Sequence, residues 1–208
     1  MKVGDVIAGK YAVEGVLGVG GMGVVVAARH LGLQTTVAIK FLLPEMLAHA
    51  ETVSRFEREA RAAVRITSEH VARVLDVGTL ETGAPYMVME FLQGSDLSQW
   101  LAQRGPLRVE QAVDFVLQAC VAIAEAHALG IVHRDIKPSN LYCTHRSDGQ
   151  IGNQGPRLRD LEDGRRPGVL TKTTAIVGSP LYMSPEQMRG SKDTDARTDH
   201  LGPRSGAS

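Results

Sequence analysis

The sequence predicts an α+β protein in which a lobe of strands is followed by a lobe of helices. Up to residue 89 the apolar residues fall in short β-rich runs that are separated by glycine-containing turns. After residue 94 they recur at helical spacing instead. We therefore expect a cleft where the two lobes join, over residues 90–94, and such clefts are common ligand sites.

The first lobe is predicted to contain five strands and one helix. The strands are Tyr11–Leu17, Val24–His30, Val37–Leu42, Val71–Val77 and Pro85–Met89. The helix lies within Pro44–Ile66, where apolar residues are three or four positions apart.

The second lobe is predicted to begin with two helices. Ser95–Gln103 is a short helix with Ser95 as its N-cap. Val109–Leu129 is a long amphipathic helix that Gly130 closes. Ser147–Arg166 is polar, glycine-rich and without period, so no regular element is expected there.

The composition argues against several classes of protein. Lys plus Arg equal Asp plus Glu at 23 each, so no basic excess favours a nucleic-acid or membrane-surface partner. We see neither a signal peptide nor an apolar run long enough to span a membrane. Two cysteines do not make a disulfide framework, which favours a reducing compartment and a cytoplasmic location.

A glycine-rich segment, Gly18-Val19-Gly20-Gly21-Met22-Gly23-Val24-Val25, joins the first two predicted strands. Glycines allow backbone N–H groups to approach phosphate oxygens closely, although a simple hairpin turn is an equal interpretation. The segment neither opens a helix nor ends in Gly-Lys-Ser/Thr, which argues against a dinucleotide-binding fold and a P-loop.

The third predicted strand carries one lysine, Lys40, after three apolar residues. A strand lysine is usually an exposed edge charge. Here it lies on the strand next to the glycine-rich segment, from which it could reach bound phosphates. A buried ammonium needs a partner, for which Glu59 is our candidate and Glu57 the alternative on another helix face.

The most specific motif is His133-Arg134-Asp135-Ile136-Lys137-Pro138-Ser139-Asn140. Together with the glycine-rich segment and Val-Ala-Ile-Lys, in this order, it resembles the protein kinases. A lysine two residues after the aspartate resembles the serine/threonine branch, and the chain as a whole looks most like the bacterial enzymes. The resemblance covers about Tyr11–Tyr142 and Leu170–Asp199.

The resemblance implies a bilobal protein-kinase-like fold. Its N-lobe would be a five-stranded antiparallel sheet with one helix over residues 1–89. A hinge at 90–94 would lead to a mainly helical C-lobe, which is incomplete here, over 95–199. We expect the C-lobe to be marginally stable, because part of the surface against which Val109–Leu129 packs in the family is missing.

The resemblance also implies transfer of the γ-phosphate of ATP, with Mg²⁺, to Ser/Thr hydroxyls of a protein substrate. Asp135 would accept the hydroxyl proton and Lys137 would neutralise the transferring phosphoryl group. Lys40, fixed by Glu59, would hold the α- and β-phosphates, and Asn140 would bind Mg²⁺. Positioning and charge neutralisation of this kind are what phosphoryl transfer requires.

The nucleotide itself would contact the glycine-rich segment, the adjoining strands and the hinge. Met89 would be the gatekeeper, and backbone groups of Glu90 and Leu92 would bond adenine. The implied nucleotide-binding residues are Leu17, Gly18, Val19, Gly20, Gly21, Met22, Gly23, Val25, Ala38, Lys40, Met89, Glu90 and Leu92.

A later segment, Gly178–Glu186, resembles the peptide-substrate loop of the kinases and includes Ser179. Ser184 replaces the alanine of its Ala-Pro-Glu end. Three threonines precede it where activation-loop phosphorylation occurs in the family, although an unmodified solvated loop is the alternative: Thr171, Thr173 and Thr174.

The Asp-Phe-Gly motif of the family, whose aspartate holds Mg²⁺, is absent. We hypothesise two reading-frame shifts, because codons for Asn153–Gly164 read one base later can encode Val-Leu-Asp-Phe-Gly. A skipped base after Asp199 likewise gives Ile-Trp-Ala-Leu-Gly-Val. Residues 151–168 and 200–208 would then be aberrant and without regular structure. A nucleotide sequence unable to encode these words would disprove the hypothesis.

Three functional interpretations follow. The chain is an active kinase, a pseudokinase that binds nucleotide without turnover, or an inactive fragment. The intact Lys40, Asp135 and Asn140 argue against evolved loss of catalysis, and we favour an ancestral kinase whose present chain is damaged. The substrate and the oligomeric state are not predicted.

Overall fold

The computed structural model describes residues 2–20, 23–144, 156–158, 182–188 and 195–199. The chain forms two compact units. The first comprises Met1–Thr67 and Ala72–Leu92, and the second comprises Ser68–Val71 and Gln93–Ser208.

The first unit is built on an antiparallel sheet with strand order β1-β2-β3-β4-β6-β5. Its strands are β1 Val6–Ile7, β2 Tyr11–Val19, β3 Gly23–His30, β4 Thr36–Leu42, β5 Val74–Thr79 and β6 Pro85–Glu90. All five predicted strands are present, and the two-residue β1 extends the sheet beside β2. β5 begins three residues later than predicted, because the Val71 N–H donates a hydrogen bond to the Ser68 carbonyl within a turn.

The predicted helix of this unit is divided into α1 Pro44–Leu47 and α2 Ala50–Ala63. The break occurs because His49 has extended backbone angles, φ −104° and ψ 95°, and acts as the N-cap of α2. The apolar spacing continues through the break, so periodicity alone could not locate it.

The sheet has two different faces because side chains alternate along each strand. One face forms an apolar core around Val26, Ile39 and Val88. On the other face, Phe56 and Ala60 of α2 pack against sheet residues, namely Ala38, Leu42, Met87 and Met89. Lys40 lies on the strand between Ala38 and Leu42 and therefore belongs to the α2 face.

At the start of β3, the backbone of Gly23 lies very close to the backbone of β4. A Cβ atom at Gly23 would lie 2.3 Å from the Phe41 carbonyl oxygen on β4, whereas one at Gly15 on β2 would have no neighbour within 4 Å. We expect Gly23→Ala to destabilise the first unit by about 1–3 kcal/mol because β4 must move. Urea unfolding of this variant beside Gly15→Ala checks it, and equal midpoints for the two would contradict it.

The second unit contains the other long helices, α3 Leu97–Arg104 and α4 Val109–Ala128. The prediction of Ser95 as N-cap was wrong: Asp96 is the cap, and its Oδ1 accepts the Gln99 N–H at 2.9 Å. Ser95 instead lies in a strand. Gly130 follows α4 with φ +76° and its N–H donates to the His127 carbonyl, a conformation that glycine adopts without strain.

A small antiparallel sheet of order β7-β8-β9 is also in this unit. Its strands are β7 Gly94–Asp96, β8 Leu141–Thr144 and β9 Pro156–Leu158. β9 lies where no regular element was expected. Backbone pairing to the edge of β8 requires no apolar pattern, and proline is tolerated as the first residue of an edge strand.

The described part of the second unit also contains three short elements. They are the 3-10 turns Pro138–Asn140 and Ala196–Asp199 and the one-turn helix α5 Pro185–Met188. Burial raises the pKa of the Cys143 thiol on β8 to about 11, so this cysteine remains a neutral thiol at ordinary pH. Within the described ranges no helix is both long and apolar enough to cross a bilayer.

Candidate active site

A row of residues crosses the sheet of the first unit beside the glycine-rich turn. Gly18 lies opposite Val25, Val25 opposite Lys40, and Lys40 opposite Met87. Directly opposed residues of antiparallel strands share a face. The row therefore places Lys40 two strands from Gly18 on the face that α2 covers.

The turn that joins β2 and β3 leaves open space beside its glycines. The Gly20 N–H donates to the Gly23 carbonyl at 2.8 Å. A Cβ at Gly18 would meet nothing within 4 Å, and one at Gly20 would meet only the Gly23 oxygen at 3.9 Å. At Gly18 and Gly20 the described residues therefore leave the backbone open to a close approach. The neighbouring Leu17 and Val19 are exposed, and Gly21 and Met22 lie outside the described residues.

The two glutamates considered as partners of Lys40 have different environments. Glu59 on α2 is 8% exposed, and its Oε1 lies 3.6 Å from Arg55 Nε. The Glu57 side chain is 47% exposed and lies 3.9 Å from Arg61. Only Glu59 is therefore a buried carboxylate beside Phe56 and Ala60, the residues through which α2 packs on the sheet.

The predicted gatekeeper and hinge residues lie at the C-terminal end of the first unit. Met89 is buried opposite Ala38 on the α2 face. The Glu90 N–H donates to the Arg73 carbonyl at 2.9 Å, so that N–H is already engaged within the protein. Leu92, half-buried, is the last residue of the unit.

In the second unit, three predicted catalytic residues meet around one carboxylate. Lys137 Nζ lies 2.7 Å from Asp135 Oδ2. Asn140 Nδ2 donates to the same oxygen at 3.0 Å and to the Asp135 carbonyl at 2.7 Å. The 3-10 turn that ends at Asn140 brings these residues together, and the Asn140 N–H closes it onto the Lys137 carbonyl. The Asp135 side chain is 38% exposed, so a substrate can reach it.

Asp199 anchors this loop from a distant part of the chain. Its carboxylate is 4% exposed; Oδ2 accepts the His133 N–H at 2.7 Å and Oδ1 accepts the Arg134 N–H at 2.6 Å. His127 Nε2 on α4 lies 2.8 Å from Oδ2. The sequence alone did not assign this function to Asp199.

Gln187 on α5 makes a second contact with this loop that the sequence did not predict. Its Nε2 donates to the Arg134 carbonyl at 2.6 Å. A glutamine one residue after Pro-Glu has no local feature that distinguishes it from a surface residue. Contacts across 53 and 65 residues of sequence are visible only in the folded chain.

Among the described residues, Asn140 is the one that was predicted to bind Mg²⁺. Asn140 directs its amide nitrogen at Asp135, which leaves its amide oxygen as one suitable ligand. Within the described ranges no group of three or more His, Cys, Asp or Glu side chains could hold a metal ion. The predicted residues Thr171, Thr173, Thr174 and Ser179, and Asp163 with Gly164, lie outside the described residues.

Comparison with known proteins gives one consistent result. The family described as "Protein kinase domain" matches residues 11–201. The serine/threonine-protein kinase pkn3 of Myxococcus xanthus is 40% identical over 202 residues, which cover 95% of this chain and 36% of that protein. The serine/threonine-protein kinase PknB of Mycobacterium leprae is 35% identical, over 91% of this chain and 30% of that protein.

Solved structures give the same result. The crystal structure of the Mycobacterium tuberculosis PknI kinase domain matches with a TM-score of 0.72 and 31% identity. The match covers 96% of this chain and 72% of that domain. The chain thus spans about a third of the length of these curated relatives and about three quarters of this solved domain.

Proposed function

The chain belongs to the protein kinase family, and from that premise we propose that it transfers the γ-phosphate of ATP to serine or threonine hydroxyls of a protein substrate. The observation that carries the proposal is the arrangement of Lys137 and Asn140 on one oxygen of Asp135. This arrangement orients an accessible carboxylate and places a cation beside it. Both are what phosphoryl transfer to a hydroxyl requires.

The two oxygens of Asp135 have different roles in this proposal. Oδ2 is held by Lys137 and Asn140. Among the described residues Oδ1 accepts no hydrogen bond, so Oδ1 is the atom we assign to the substrate hydroxyl. It would align the hydroxyl oxygen with the γ-phosphorus and accept its proton as the new oxygen–phosphorus bond forms, while the bond from the γ-phosphorus to the β–γ bridging oxygen breaks and ADP leaves.

Lys137 would act on the charge of the phosphoryl group. Its ammonium is held 2.7 Å from Asp135, next to the place where the substrate hydroxyl would lie. A cation at this position stabilises the negative charge on the oxygens of the transferring group.

ATP and Mg²⁺ are the proposed cofactors. The open backbone at Gly18 and Gly20 suits the phosphates, and Lys40 follows in the same row across the sheet. Mg²⁺ would neutralise phosphate charge, with the Asn140 amide oxygen as one ligand. Glu59, the buried glutamate of α2, is our proposed partner of Lys40.

A lysine pair tests the nucleotide site. We expect Lys40→Ala to weaken ATP binding roughly tenfold to a hundredfold, because a charge-assisted contact to phosphate is lost. Lys10→Ala removes an exposed lysine before β2 and is the matched control. ATP-induced shifts in the unfolding temperature and the transfer of γ-labelled phosphate, followed by phosphoamino acid analysis, are the measurements.

The outcomes separate the interpretations. Labelled phosphoserine or phosphothreonine supports the kinase, and its absence at saturating ATP and Mg²⁺ contradicts it. The missing Asp-Phe-Gly favours a second candidate, a module that binds nucleotide without turnover. That candidate predicts stabilisation by ATP, sensitive to Lys40→Ala, without labelled product.

A further inference from the structure

We propose that Gln187 is a positioning residue that fixes the peptide unit between Arg134 and Asp135 and thereby orients the Asp135 carboxylate. The proposal rests on the proposed function of Asp135 in phosphoryl transfer. It concerns a contact between α5 and the catalytic loop, both within the second unit.

The peptide that joins Arg134 to Asp135 is held at both of its polar groups. Arg134 has φ +63°, a left-handed conformation that is unfavourable for a residue with a Cβ. The Arg134 carbonyl accepts Gln187 Nε2 at 2.6 Å, and the Asp135 N–H donates to His133 Nδ1 at 3.3 Å. Such a conformation persists only where its surroundings stabilise it, and these two hydrogen bonds contribute to that stabilisation.

Asp199 holds the preceding peptide in a similar way. Its two oxygens accept the N–H groups of His133 and Arg134. Asp199 therefore fixes the backbone that precedes the left-handed Arg134, and Gln187 fixes the peptide that follows it. Because the next Cα is that of Asp135, a rotation of the second peptide moves the catalytic side chain directly.

The Gln187 amide can have only one orientation here. Its Oε1 accepts the Ser184 N–H at 2.8 Å, while the Gln187 N–H donates to Ser184 Oγ at 3.3 Å. Since Oε1 is used by this reciprocal cap of α5, Nε2 is the atom that faces the Arg134 carbonyl. Glutamine is suited to this position because its side chain carries both an acceptor and a donor.

Two substitutions separate positioning from capping. Gln187→Glu retains an acceptor for the Ser184 N–H but replaces the donor to Arg134 with a second acceptor. Gln187→Met removes both. If Gln187 only caps α5, the glutamate variant resembles the wild type and the methionine variant does not. If it positions the loop, both variants lose activity.

The expected result is a kcat roughly tenfold to a hundredfold lower in both variants, with the KM for ATP unchanged, because a misplaced catalytic group slows chemistry rather than nucleotide binding. Gln111→Glu is the matched control. Gln111 Oε1 accepts the Arg108 N–H in the capping box of α4, and glutamate serves equally well there. A wild-type kcat for Gln187→Glu would overturn the proposal.

A second measurement does not depend on turnover. Amide hydrogen exchange over residues 133–140 should be faster in Gln187→Glu than in the wild type and in Gln111→Glu. If the wild type transfers no phosphate but this exchange difference is present, the proposed function fails while the contact is retained as a determinant of loop geometry. Identical exchange in all three proteins would overturn the positioning role whether or not the chain is active.

Discussion

Asp135→Asn is expected to slow phosphoryl transfer by about a hundredfold to ten-thousandfold, the contribution of a positioned general base. Asparagine has nearly the same shape as aspartate but cannot accept the hydroxyl proton. It also loses the negative charge that holds Lys137 Nζ at 2.7 Å. The residues proposed to contact ATP lie in other parts of the sequence, so the KM for ATP should change little.

Initial rates of γ-labelled phosphate incorporation at saturating ATP measure this effect. Asp114→Asn, the same substitution on α4, is the control and should retain the wild-type rate. Comparable unfolding curves for the two variants would show that the loss is chemical. A rate for Asp135→Asn within threefold of the wild type would contradict the assignment of the base.

Asp199→Asn should reduce the free energy of unfolding of the second unit by about 3 kcal/mol. Both Asp199 oxygens accept backbone N–H groups of the catalytic loop, and the carboxylate is buried. In asparagine one of these oxygens becomes an NH₂ group that faces a donor. One loop N–H then loses its acceptor, and two donors repel each other in the interior.

Asp195→Asn is the natural control because Asp195 is four residues away and exposed. Its ion pair with Arg197 lies on the surface, where such pairs contribute about 0–1 kcal/mol. Urea unfolding can be followed through Trp100, the single tryptophan, which lies on α3 of the second unit. Equal unfolding midpoints for the two variants would show that the anchor contributes little to stability.

Much of the fold could be predicted because apolar periodicity is a local signal. Short β-rich runs bounded by turns identified the strands, and helical spacing identified α4 to within one residue. The break before Ala50 and the cap at Asp96 depend on single backbone conformations, which composition does not determine. β9 forms through backbone pairing with β8, so the pattern of its side chains in the sequence did not predict it.

The residues of the site also divide into those that a local motif predicted and those that it did not. Asp135, Lys137 and Asn140 lie within one short motif, so a local turn was sufficient to bring them together. Asp199 and Gln187 reach the loop from far along the chain through buried backbone contacts. Those two partners required the tertiary structure, because any buried carboxylate or amide could have provided them.

The position of Asp199 also affects how the chain is made. Synthesis at roughly 5–20 residues per second separates the translation of His133 from that of its acceptor, 66 residues later, by several seconds. During that interval the N–H groups of His133 and Arg134 can be satisfied only by water or by other partners. The catalytic loop can therefore adopt its anchored form only after residue 199 has been synthesised, and a nascent chain that stops short of Asp199 has the loop without its anchor.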